Sequence, residues 1–179
     1  VLAGIYSHML KDMAQQKIET LQQVNTTVTG VDPKKARTYH MIMIARNQVG
    51  LKNLYKLVSY SNLECYQRHP RIPRSKLIEH REGLLIGSAC EAGELYQALL
   101  EGKPESELEE IASFYDYLEI QPLCNNQFLV AEGKVSGNEQ LMELNRRIIR
   151  LGKKLGKMTV ATCDAHFLNK EDELYRKIL

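Results

Sequence analysis

The sequence predicts an α/β fold in which parallel strands are joined by crossover helices, and two observations carry that expectation. Short apolar runs with strand character recur at 40–45, 83–89, 117–120 and 158–162. Between them lie segments whose apolar residues return at three- and four-residue steps, the spacing of a buried helix face. Strand and helix alternating in this way build an open parallel sheet or part of a barrel. With 179 residues the chain suffices for one domain with a real core, or for one domain and an appendage.

Taken in order, residues 3–24 (AGIYSHMLKDMAQQKIETLQQV) read as one amphipathic helix carrying Ile5, Met9, Met13, Ile18 and Leu21. Residues 25–38 (NTTVTGVDPKKART) are polar, hold Gly30 and Pro33 and lack an apolar period, so they read as a linker. HMIMIA, 40–45, is a continuous apolar run, as expected of a strand buried on both faces. Leu51, Leu54, Tyr55, Leu57 and Val58 then follow helical spacing. GLLIGSA, 83–89, is a second strand, with a helix from about Glu91 to Leu100 behind it. A further helical stretch begins at Pro104 and runs through Leu108, Ile111 and Phe114. YLEI, 117–120, is a third strand, followed by a loop containing Gly133 and Gly137. Residues 139–155 are strongly helical, MTVAT (158–162) is a fourth strand, and 170–178 are helical again.

Composition is that of an ordinary soluble globular protein, 44% hydrophobic and 26% charged. A formal net charge of +2 is too near neutral for composition to indicate nucleic-acid binding, although local patches can still act. No apolar run approaches the roughly 20 residues that span a bilayer, and no signal-peptide pattern is present. Cys65, Cys90, Cys124 and Cys163 form no C-x-x-C pair, which favours free thiols in a reducing cytosol. The chain opens on Val1 rather than Met, as expected of a processed or truncated polypeptide.

In parallel α/β folds, reactive groups gather at the carboxyl ends of strands. MTVAT runs straight into Asp164 and His166, which in extended chain point to the same side and can face one metal ion. GLLIGSA runs into Cys90, whose thiolate suits a borderline-soft metal such as zinc. Each has a plainer reading: Asp164 as a cap for the last helix, Cys90 as a small buried residue. The segment 67–76 (QRHPRIPRSK) concentrates Arg68, Arg71, Arg74 and Lys76 beside two prolines. It reads either as a stiff loop for phosphate or DNA contact, or as a solvated surface loop without interleaved aromatics. His69 and His80 read as surface histidines, and His8 sits on the first helix.

RTYHMIMIARNQVGLKNLYKLVSYSNLE resembles a segment of the PolC-type replicative DNA polymerases and their DnaE relatives, in which a histidine opens an apolar strand before a G-x-x-N-L helix. RHPRIPRSKL, HREGLLIGSACEAGELYQALL, FYDYLEIQP and VATCDAHFLNKED continue the same ordered series from Arg37 to the last residue. The resemblance implies the second half of a PHP domain, a distorted (β/α)7 barrel holding up to three ions of zinc or manganese. By position it makes His40, Cys90, Asp164 and His166 the ligands. It implies that residues 1–24 end an inserted proofreading exonuclease, 25–38 link, and 39–179 resume the PHP domain. The opening H-x-H of the metal site, the exonuclease carboxylates and the polymerase carboxylates are absent from this stretch, so it holds no catalytic residue for polymerisation or proofreading.

The function so implied is DNA replication in the cytoplasm by the parent protein. Its partners would be primer-template DNA, dNTPs and replisome subunits such as the sliding clamp, with magnesium serving polymerisation. The PHP half itself would be phosphoesterase-like, or a metal-braced scaffold without chemistry; a stand-alone PHP phosphatase would need a complete ligand set. Partial metal occupancy and self-association through an exposed barrel edge are also expected of the isolated chain.

Overall fold

A computed structural model describes residues 36–163, 165 and 167–178. The helix expected over 3–24 and most of the expected linker lie outside the described residues. The rest form a mixed α/β unit with four strands: β1 Ile42–Ala45, β2 Leu84–Gly87, β3 Tyr117–Ile120 and β4 Met158–Ala161, side by side in that order. Seven described α-helices accompany them: α1 Gln48–Leu63, α2 Arg74–Glu79, α3 Glu94–Leu100, α4 Glu105–Ser113, α5 Gln127–Ala131, α6 Asn138–Lys154 and α7 Glu173–Ile178.

Strands β2, β3 and β4 are parallel, as the alternation of strand and helix predicts. Strand β1 is not: it runs antiparallel to β2, with Ala45 opposite Leu84 and Ile42 opposite Gly87. The connection from β1 therefore returns to the end at which β1 stopped, and Arg46 N–H donates to Gly83 C=O at 2.9 Å. An apolar run carries no sign of its direction, so this reversal was not legible locally. The expectation that 40–45 is buried on both faces also fails. Ile42 is 39% and Ile44 47% exposed, because β1 is an edge strand with one covered face.

The core lies on one face of the sheet. Met43, Leu84, Ile86, Leu118 and Ile120 point into a cluster with Leu57, Leu95, Leu108, Leu144, Ile148 and Leu151 from the helices. Helix α6 packs so close to the sheet that a side chain at Gly152 would strike Thr159 Oγ1 and approach Leu118. The opposite face carries Ile42, Ile44, Gly87, Tyr117, Glu119, Met158 and Val160, by the strand registers. Residues 121–137, expected to be loop, contain a 3-10 turn (Leu123–Asn126) and α5, both too short for a periodic signal. The full seven-unit barrel is not visible in these four strands. No described helix is long and apolar enough to cross a membrane.

Candidate metal centre

His40 and Cys90 are 50 residues apart in sequence, yet the fold brings them together: Cys90 Sγ stands 3.4 Å from His40 Nδ1. Two local features make the meeting. His40 enters β1 with its N–H donating to Ala92 C=O at 3.0 Å, and it forms a parallel bridge to Gly93. Beyond β2 the chain then turns sharply. Ala89 adopts φ 59, a left-handed conformation uncommon for a residue with a side chain, and Gly93 N–H closes the turn on Cys90 C=O at 2.9 Å. Backbone held in such a conformation by its surroundings is a mark of a site where geometry matters more than local comfort.

The donor set fits a transition metal. In a tetrahedral zinc site, with Zn–S about 2.3 Å and Zn–N about 2.0 Å, sulfur and nitrogen stand roughly 3.5 Å apart. The same spacing serves a thiol–imidazole hydrogen bond, so what the geometry establishes is convergence. Burial pushes the Cys90 thiol up from its ordinary value, with the neighbouring Glu91 adding to the effect. Asp164 and His166 lie outside the described residues, and no group of three or more His, Cys, Asp or Glu shares a site among the described ones.

What leads to Asp164 is well held. Thr162, two residues earlier, continues the parallel ladder by donating its N–H to Ile120 C=O at 3.0 Å. Its hydroxyl donates to Glu119 Oε2 at 3.1 Å, and Asn125 Nδ2 donates to Cys163 C=O at 2.8 Å. Glu119 was not singled out by the sequence analysis. The signal was present: a lone carboxylate inside an otherwise apolar strand must find partners or pay heavily for burial.

Tyr117 and Glu119 share a face of β3 above Gly87, where a side chain would strike the Tyr117 ring at 2.3 Å and Glu119 Oε1 at 2.8 Å. Burial, and then the adjacent Glu119, push the Tyr117 hydroxyl up to about 12. Between its unfolded value near 10 and that point the folded state holds the extra proton, so stability falls as pH rises through this window. Tyr117→Phe is therefore expected to flatten the alkaline decline seen in urea unfolding between pH 9 and 12. An unchanged decline would contradict this.

A cleft of about 800 Å³ opens beside His40, lined by Arg37, Tyr39, His69, Arg71 and Arg74 among others. Of the four basic loop residues, only Arg71 and Arg74 line it. Arg71 Nη1 donates to Ala36 C=O at 2.9 Å, while Arg74 pairs with Glu94 and lies 4.4 Å over the Phe114 ring. Lys76 pairs with Glu79 at 2.7 Å, and Arg68 is exposed in a turn of positive φ. Arg37, inside the expected linker, is anchored to Glu101 at 2.5 Å and Gln97 at 2.8 Å.

The chain is 51% identical over all 179 residues to DNA polymerase III PolC-type of Clostridium perfringens. It is 46% identical over 172 residues, 96% of the chain, to the protein of the same name from Bacillus subtilis. In Caldanaerobacter subterraneus the figure is 49% over 162 residues, 89% of the chain. The chain spans 12% of the length of each of these relatives. A family model described as the PHP domain matches residues 6–122, a span that includes His40 and Cys90 and begins within the stretch read as an exonuclease tail. With about two thirds of its length matched in this way, the chain belongs to the PHP domain family.

Proposed function

We infer that this chain supplies part of a metal centre, phosphoesterase-like in chemistry, to a PolC-type replicative DNA polymerase. The observation that carries the reading is the approach of His40 Nδ1 to Cys90 Sγ across 50 residues of sequence. Asp164 and His166, following β4 directly, are the further ligands, and the ion is zinc or manganese. Bound divalent ions polarise a phosphoryl oxygen and lower the pKa of a water toward neutrality, which is the chemistry of phosphoester hydrolysis. The chain's own part is to present nitrogen and sulfur from a braced turn, and to offer the cleft beside His40 as an approach for a phosphoester.

The whole protein would extend primers on template DNA from dNTPs with magnesium, in the cytoplasm, among replisome partners such as the sliding clamp. None of that chemistry uses residues of this stretch. On the same reading residues 1–24 close an inserted proofreading exonuclease and 25–38 connect it to the PHP domain.

The test is phosphodiesterase assay of the protein at its natural length with manganese or zinc. Hydrolysis is expected, and Asp164→Ala is expected to abolish it while the protein stays folded. Loss of cooperative folding in Asp164→Ala, with no hydrolysis by either protein, would make the centre a structural brace instead.

A further inference from the structure

We propose that the Glu119 carboxylate is a positioning group of the metal centre, indexing the strand end that carries Asp164 to the central strand β3. The inference rests on the metal-centre reading above and adds to it a residue outside the ligand set.

Glu119 bonds to both neighbouring strand ends. Its backbone N–H donates to Ser88 Oγ at 2.9 Å, and Ser88 stands two residues before Cys90. Its carboxylate accepts from Thr162 Oγ1 at 3.1 Å, and Thr162 stands two residues before Asp164. One residue of β3 thus reaches the chain just ahead of a ligand on either side. The bond to Ser88 comes from the main chain and extends the short β2–β3 pairing. On the β4 side strand pairing does not require the carboxylate, because the ladder already joins β3 to β4 from Tyr117–Met158 to Ile120–Ala161. A hydrophobic residue at this buried position, on the face away from the main core, would avoid the cost of burying a carboxylate.

That cost is visible. Glu119 is 6% exposed, and its Oε1 is buried with no hydrogen-bond partner among the described residues. A half-satisfied carboxylate is a poor choice for stability alone. It is a good choice for direction: a carboxylate–hydroxyl bond fixes the Thr162 side chain and hence the exit angle of the segment that follows β4. Groups bonded directly to metal ligands orient them, and their loss typically weakens metal binding roughly 10- to 100-fold. Glu119 acts one step further out, through Thr162, so its effect lies at the lower end of that range. Asn125 supplies a second tether one residue further on, at Cys163 C=O.

The experiment compares wild type, Glu119→Ala, Glu119→Gln, Thr162→Val and Glu119→Ala/Thr162→Val in the protein at its natural length. Zinc affinity is read by chelator competition, and the cobalt(II) form by its thiolate charge-transfer band. Thermal unfolding in chelator reports any lesion that does not involve metal. Glu119→Ala and Thr162→Val are each expected to lower affinity by roughly 10-fold and to perturb the cobalt spectrum, with no further loss in the double variant. Glu119→Gln keeps a carbonyl acceptor for the Thr162 hydroxyl and should recover most of the affinity. Thr162→Val is nearly isosteric at a half-buried position, so it keeps the test open if Glu119→Ala fails to fold. Variants that bind zinc as tightly as wild type, or losses that add, would overturn the proposal while leaving the metal centre standing. Wild-type protein that holds no metal would end both.

Discussion

A Gly50→Ala variant is expected to lose at least about 3 kcal/mol of stability, the range reserved for overpacking that cannot relax. Helix α1 begins against the turn that leads into β2, and the two backbones touch. A Cβ at Gly50 would lie 1.9 Å from Gly83 C=O oxygen and 2.5 Å from its carbon. The obstacle is main chain on both sides, so no rotamer change relieves it. Gly83 itself needs its φ of +74, and a Cβ there would meet Gly50 N at 2.4 Å. The junction is otherwise well bonded. Asn47 Oδ1 accepts from Gly50 N–H at 2.9 Å as the helix cap, and Asn53 Nδ2 donates to Glu82 C=O at 2.9 Å. Because the same turn sets the entry of β2, the change should also displace Cys90 relative to His40. Gly102→Ala is the control: its φ is similarly positive, at +69, but open space surrounds it. That substitution should cost only about 1 kcal/mol. Urea unfolding decides the matter, and equal losses at the two positions would show that the close approach of Gly50 and Gly83 is not the cause.

The second large effect is on metal affinity. Cys90→Ser and His40→Ala should each weaken zinc binding by at least about 100-fold, beyond the loss expected from an outer partner. Serine keeps the size of cysteine and replaces a soft donor by a hard one. Zinc and cadmium should therefore suffer more than manganese in Cys90→Ser, whereas His40→Ala should weaken all three. The pattern across metals separates ligation from packing, since a packing defect has no preference among ions. Unchanged zinc affinity in Cys90→Ser would remove the observation on which the proposed function stands. Neither variant should unfold the domain, because His40 is exposed and Cys90 lies outside the helix–sheet core.

Much of this protein could be read without coordinates, and the parts that could not have definite reasons. Strand β3 falls at 117–120 as expected, and α6 is displaced by one residue from the expected 139–155. Both have a strong period and clear punctuation on either side. Helix α3 begins at Glu94 rather than Glu91, because Cys90 to Gly93 are spent on the turn that brings Cys90 to His40. That turn is a tertiary product, stabilised by a strand entry fifty residues away. His40 is the least legible of the proposed ligands physically, since it precedes its strand while Cys90 follows one. Antiparallel pairing of β1 with β2 removes the difficulty: the start of β1 and the end of β2 lie at the same end of the sheet, so the two side chains meet there.

Residue pattern alone determined the α/β class, the positions of the strands and the candidacy of Cys90, because burial period and strand-end chemistry are local properties of a chain, whereas His40 entered only through the family resemblance. Tertiary structure decided the direction of β1, the exposure of Ile42 and Ile44, and the partnership of Glu119 with Ser88 and Thr162. Each of these depends on which segments become neighbours. Spatial neighbourhood is set by the summed packing of the whole sheet and its helices, and no single stretch of sequence encodes it.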